Sequence, residues 1–243
     1  MDTDGTTRWL VLIPGTDTHW DTAIGWGQNI ELMSSDNEQR MQADGCRLVE
    51  EAMKRSGIGA HDSVTLIGHS QGGIIAASLA AGLSKRYSIT HVVTAGSPIA
   101  NHPIPKSTWV TSIENKGELV SNLDGARNPD RSTWLTVRGD IESGQKVPSS
   151  TGSGSGSGSG SGIATGGIVK GGTVTGGTAA EGTVVKGAPN HTDITHAMNY
   201  QRATWSDAES LGSPALAQHD EHFSEQLKGK LAGTSYYTGR MTH

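Results

Sequence analysis

Val64-Thr-Leu-Ile-Gly-His-Ser-Gln-Gly-Gly-Ile-Ile-Ala-Ala77 decides the fold. Its first half is a short apolar run with little polar alternation, the pattern of a strand buried on both faces. Its second half is a run of small and aliphatic residues suited to a helix. Gly68 and Gly72 stand two residues before and two after Ser70. A strand that turns directly into a helix presses backbone against backbone, and glycine at those two positions removes the side chains that would collide. The serine between them projects above the sheet edge, where the following helix N-terminus favours developing negative charge.

Further short apolar runs lie to either side. Trp9-Leu-Val-Leu-Ile13 stops at Pro14-Gly15, Ile89-Thr-His-Val-Val-Thr94 stops at Ala95-Gly96, and Trp109-Val-Thr-Ser-Ile113 and Trp134-Leu-Thr-Val137 end in polar loops. Between and after them the spacing predicts helices over 38–56, 71–83, 195–208 and 214–231. Alternation of buried strands with helices predicts an α/β fold, a doubly wound and mostly parallel sheet of about five or six strands with flanking helices.

Composition narrows the function classes. Of 243 residues only 33% are hydrophobic, so part of the chain does not build core. Glycine supplies 34 positions, fourteen of them between Ser150 and Ala188, where a Gly-Ser alternation from Gly152 to Gly162 leads into a Val-rich quasi-repeat. A flexible linker or mobile lid over 150–189 is expected, dividing a core of 1–149 from a C-terminal part at 190–243. A net charge of -5 argues against a nucleic-acid or anionic-membrane partner. Cys46 is alone, which excludes an internal disulfide framework and a cysteine-based zinc cluster. Residues 1–8 are acidic and polar; neither a signal peptide nor a membrane span is expected, and a cytoplasmic location is favoured.

Gly68-His69-Ser70-Gln71-Gly72, set between this strand and this helix, is a nucleophile elbow, and here the chain resembles the α/β-hydrolase family outside roughly residues 150 to 190. The resemblance implies a serine hydrolase. Ile13-Pro14-Gly15-Thr16 is similar to the family's oxyanion loop, which assigns the oxyanion donors to the amides of Thr16 and Gln71, while His69 is structural. The family order of serine, acid, histidine places the acid after the fourth strand. Glu118-Leu-Val120-Ser121-Asn-Leu123 is similar to the Asp-x-Val-Pro-x-Leu loop of class-3-type lipases and GPI inositol-deacylase-like hydrolases, with Glu118 at the acid position. Glutamate replaces aspartate and Ser121 replaces proline; Asp124 is the alternative acid and Asp140 a third. His196, one helical turn before Tyr200, matches the pattern around the family's catalytic histidine, and His191 is the alternative base.

That reading implies cleavage of a small-molecule or lipid ester through an acyl-enzyme, with no metal and no other cofactor. Acyl transfer, a cell-envelope esterase resembling cutinases and phage mycolyl-ester lysins, and a catalytically inactive binding module are the other readings; cutinase-like proteins usually carry disulfides. Trp20, Ile24, Trp26 and Ile30 are candidates for an apolar acyl pocket or for core. His219 and His222 have metal-ligand spacing without a third ligand, so a solvated amphipathic helix is the expectation there.

Overall fold

A computed structural model describes residues 7–16, 23–25, 31–116, 118–142, 172–175, 186–188, 196 and 198–239. The five apolar runs form β1 (Arg8–Ile13), β2 (Ser63–His69), β3 (Ser88–Ala95), β4 (Trp109–Lys116) and β5 (Trp134–Glu142). They pair in sequence order, all parallel. Two short strands complete the sheet on β5: β6 (Gly172–Thr175) runs antiparallel to it and β7 (Lys186–Ala188) parallel. The structure is an α/β-hydrolase-like fold with a parallel five-stranded core. Of the Gly-rich segment only β6 and β7 lie within the described residues.

The helices are α1 (Asn37–Gln42), α2 (Asp44–Arg55), α3 (Gln71–Gly82), α4 (Met198–Ser210) and α5 (Pro214–Gln226). The single helix expected over 38–56 is two helices that meet at Ala43, whose extended backbone ends the first. Because successive strands advance in one direction across the sheet, right-handed crossovers place α1, α2 and α3 on one face. There Val64, Leu66, Val92, Val110 and Trp134 pack with Cys46, Met53, Ile75 and Leu79 in one apolar core. The α3 helix is nearly all buried, which explains its small-residue composition: alanine and glycine allow it to lie close against the sheet.

The chain returns across the opposite face. There α4 and α5 cover β5, with Leu135 and Val137 against Ala208 and Leu216, while Leu10 and Leu12 of β1 stay exposed. The α5 helix corrects the expectation of a solvated surface at its histidines, because His219 is 2% exposed. It is buried in a hydrogen-bonded chain whose direction follows from a single fact, that the Ser132 carbonyl can only accept. His219 Nε2–H therefore donates to that oxygen (3.0 Å), and its Nδ1 accepts from the Thr111 hydroxyl (3.2 Å). The Thr111 oxygen in turn accepts from His91 Nε2–H (3.0 Å), and His91 Nδ1 accepts from His222 Nδ1–H (3.0 Å). Trp109 stacks on His222 with ring centres 4.5 Å apart. Each of the two buried rings, His91 and His219, is neutral in this pattern.

Burial, reinforced by neighbouring histidines, holds His91 down at about 3 and His219 at about 4, against an ordinary 6.5. Burial and the nearby Arg40 guanidinium hold His102 at about 3. A histidine whose pKa folding depresses takes up its proton more readily in the unfolded chain. Stability is therefore lost as pH falls below 6.5 and goes on falling until the folded-state values are reached, each group contributing about 1.4 kcal/mol per pH unit inside that window. Urea unfolding followed from pH 7.5 down to pH 5, above most carboxylate titrations, should show a steep fall in stability beginning near pH 6.5. A flat profile would mean that these rings are protonated, or solvated, in the folded protein.

Candidate active site

Ser70 alone makes the turn between β2 and α3. Its φ of 54° and ψ of -123° make it the one non-glycine residue with positive φ among the described residues, a conformation costing about 1–3 kcal/mol that the surroundings must hold. They do so by backbone contact. The Ser70 amide donates to the Ala95 carbonyl at the end of β3 (2.9 Å), and the Ser70 carbonyl accepts from Gly73 (3.0 Å). A Cβ on Gly68 would lie 2.2 Å from the Gly72 carbonyl oxygen, and one on Gly72 would lie 2.3 Å from the Ile13 carbonyl oxygen and 2.4 Å from that of Pro14. Those clashes are with main chain and have no side-chain escape.

The loop after β1 passes close to the serine. The Cβ position on Gly15 is 3.3 Å from Ser70 Cβ, which brings Thr16, the next residue, to the neighbourhood of the elbow. Gln71 opens α3, and its amide belongs to the first turn, where no intrahelical acceptor exists. Its side chain is buried and donates to the Gly25 carbonyl (3.0 Å), tying the elbow to the loop that follows β1. Of the expected acyl-pocket residues, Ile24 is half-buried and packs on the core, and Trp20, Trp26 and Ile30 lie outside the described residues.

Glu118 and His196 meet, Oε1 with Nδ1. The carboxylate is 3% exposed. Its second oxygen accepts from Gln201 Nε2 (3.0 Å) and, at longer range, from the Asn115 amide (3.5 Å). The loop is pinned on both sides of the carboxylate, since the Glu118 amide donates to the Asn115 carbonyl (3.1 Å) and the Glu118 carbonyl accepts from Asn122 Nδ2 (2.8 Å). Gly96 is the floor of this cluster. It has a φ of +59°, and a Cβ there would sit 2.6 Å from Glu118 Oε1, 2.9 Å from His196 Nδ1 and 3.0 Å from Gln201 Nε2. Ala95 therefore holds the serine by its carbonyl, and the next residue underlies the carboxylate and imidazole, so the three groups gather at the carboxyl ends of β2, β3 and β4.

His69 joins the two halves. Its Nε2–H donates to the His196 carbonyl (2.8 Å), and the ring centres lie 4.8 Å apart. Burial is the largest influence on its pKa, and the net effect is a lowering. The neutral ring thus holds the main chain of His196 from a position next to the serine. The other acids are elsewhere. Asp124 accepts from the amides of Ala100 (2.7 Å) and Ala126 (3.3 Å) and lines a polar cavity of about 150 Å³ with Arg40, Asn101 and His102. His191 lies outside the described residues, as does the side chain of Asp140. Cys46 is buried and its thiol is pushed up to about 12 by desolvation, so it holds its proton. Among the described residues no group of three or more His, Cys, Asp or Glu is arranged to hold a metal ion.

Gly96, Gln201 and the His69 clamp carry no motif that singles them out in the sequence. Gln201 follows Tyr200 and belongs to α4, and only the fold brings it back to a loop 83 positions earlier.

The parallel sheet with this elbow defines an α/β-hydrolase-like domain. Residues 32–133 match the family model of the PGAP1-like alpha/beta domain, a span that contains Ser70, Gly96, Glu118 and Asp124. No curated protein matches the chain. No helix among the described residues is long and apolar enough to cross a membrane.

Gly96→Ala should lower the thermal midpoint well below that of Gly125→Ala. Both positions have positive φ (+59° and +65°), but nothing lies within 4 Å of a Cβ at Gly125. Left-handed strain of about 1–2 kcal/mol is common to both substitutions, and overlap with the carboxylate and imidazole is added only at Gly96. Equal midpoints in differential scanning calorimetry would mean that the cluster relaxes freely away from the glycine.

Proposed function

We propose that the protein is a serine hydrolase that cleaves a carboxylic ester, with Ser70 as nucleophile, His196 as base and Glu118 as the residue that orients the base. The observation that carries this reading is the buried contact of Glu118 with His196 Nδ1, gathered with the positive-φ Ser70 around Ala95 and Gly96. With Nδ1 turned to the carboxylate, Nε2 is the imidazole atom left to take a proton.

In the proposed reaction, His196 Nε2 removes the Ser70 hydroxyl proton as Oγ attacks the ester carbonyl carbon. The carbonyl oxygen becomes an oxyanion, for which the Thr16 and Gln71 amides are the proposed donors. Collapse of the tetrahedral intermediate breaks the bond to the alcohol oxygen, which leaves with the proton carried by His196. Water then repeats the sequence on the acyl-serine: His196 takes its proton, the hydroxide portion adds to the carbonyl carbon, and the carboxylic acid departs as Ser70 recovers its proton. Glu118 fixes the tautomer and balances the imidazolium. The small-molecule or lipid ester that fits this chemistry requires no cofactor.

The test is p-nitrophenyl ester turnover together with covalent labelling by a fluorophosphonate. Ser70→Ala should abolish labelling and lower turnover by several powers of ten while the fold persists, because a small-for-small change at the elbow removes only the hydroxyl. Absence of labelling in the folded parent would point instead to an inactive binding module.

The two acids separate in the same assay. Glu118→Gln should cost roughly a hundred-fold or more in kcat. Asp124→Asn, which disturbs loop amides rather than the imidazole, should cost about 1 kcal/mol of stability and little rate. The reverse ranking would move the acid to Asp124.

A further inference from the structure

We propose that Gln201 is a positioning residue that holds the Glu118 carboxylate in register with His196; the inference rests on the hydrolase reading above. Gln201 is 1% exposed, on the second helical turn after His196, and its Nε2 donates to the carboxylate oxygen that His196 does not use. Its own Oε1 is buried without a hydrogen-bond partner among the described residues. An amide that leaves its carbonyl unpaired in the interior is there for what its NH₂ does, since burying such an oxygen costs stability and packing alone would be better served by an apolar side chain.

The surroundings point the same way. Among the described residues, the titratable groups placed against this carboxylate are His196 and, behind it, His69 at the end of β2. Neither gives the second oxygen a donor; that falls to Gln201 and, at 3.5 Å, to the Asn115 amide. One further turn along α4, Thr204 donates to Asn115 Oδ1 (2.5 Å), so the helix that follows the base also grips the segment bearing the acid. A glutamate has one more rotatable bond than the aspartate usual at such a position, and the two-sided grip of His196 and Gln201 removes that freedom. Gln201 touches neither Ser70 nor any atom proposed to react.

Gln201→Met keeps the volume and removes the donor. With the donor lost, one oxygen of Glu118 is no longer held, and turnover of p-nitrophenyl butyrate reports the consequence for the base. At the optimum kcat should fall roughly ten- to a hundred-fold with KM unchanged, because the base is misplaced and no substrate contact is lost. The low-field proton resonance of His196 Nδ1–H, which reports the imidazole–carboxylate bond without catalysis, should move upfield in the variant. Gln201→Asn, which draws the amide back by one methylene, should act in the same direction and serves where the apolar variant does not fold. A loss of rate with the resonance unmoved, or an unchanged kcat, assigns Gln201 to packing and overturns the proposal. A parent with the resonance but no esterase activity overturns the hydrolase reading alone.

Discussion

The contact on which the molecule depends is main chain against main chain at the elbow. The Cβ positions of Gly68 and Gly72 fall inside 2.5 Å of carbonyl oxygens from α3 and from the end of β1, so the helix is drawn onto the sheet as closely as backbone permits. That approach has three results. It forces Ser70 into a positive-φ turn, places the start of α3 beside the loop from β1, and requires the near-continuous burial of a helix made of alanine, glycine and isoleucine. A side chain at either glycine would push α3 off the sheet, and the serine, the loop after β1 and the apolar core beneath would lose their register together.

Histidine serves two opposite purposes in this fold, and environment decides between them. On the face covered by α5, His91 and His219 are enclosed, neutral and ordered by a carbonyl that only accepts, so they act as rigid polar connectors between strand and helix. At the carboxyl ends of the strands His196 is only partly buried and turns its Nδ1 to a carboxylate. His69, between these extremes, has its proton committed to a carbonyl. The sequence shows ten histidines without this distinction. Spacing along α5 suggested an exposed pair, because amphipathic periodicity does not reveal that the sheet beneath offers Thr111, His91 and Trp109 as polar and aromatic partners.

What was readable in the chain divides along similar lines. The five strands were legible because a sheet covered on both faces needs uninterrupted apolar runs, and each run here is bounded by glycine, proline or polar residues. The strand-to-helix setting of Ser70 was legible because its glycines are fixed by local geometry. The break at Ala43 was not, because the apolar periodicity of 38–56 runs across it, although Asp44-Gly45 directly after it is a turn signal. The meeting of Glu118 with His196 rested on a loop pattern with two departures from its usual form, and no local rule separates that carboxylate from Asp124. Their difference is tertiary: Asp124 is consumed by the amides of Ala100 and Ala126, whereas Glu118 turns inward over Gly96.

The inward turn makes use of the length of a glutamate side chain. Glu118 begins from a backbone fixed by Asn115 and Asn122 and reaches a cluster that lies over Gly96. The added methylene supplies reach, and its conformational freedom would ordinarily blur the direction of the carboxylate by allowing several rotamers. Here each oxygen has its own partner from the C-terminal segment, one in His196 and the other in Gln201, and the missing side chain at Gly96 leaves room for all three groups. Reach and direction are thus set by different elements: the loop after β4 supplies the first, and the segment entering α4 supplies the second. A longer acid is compatible with a defined imidazole geometry only when such a second element closes over it.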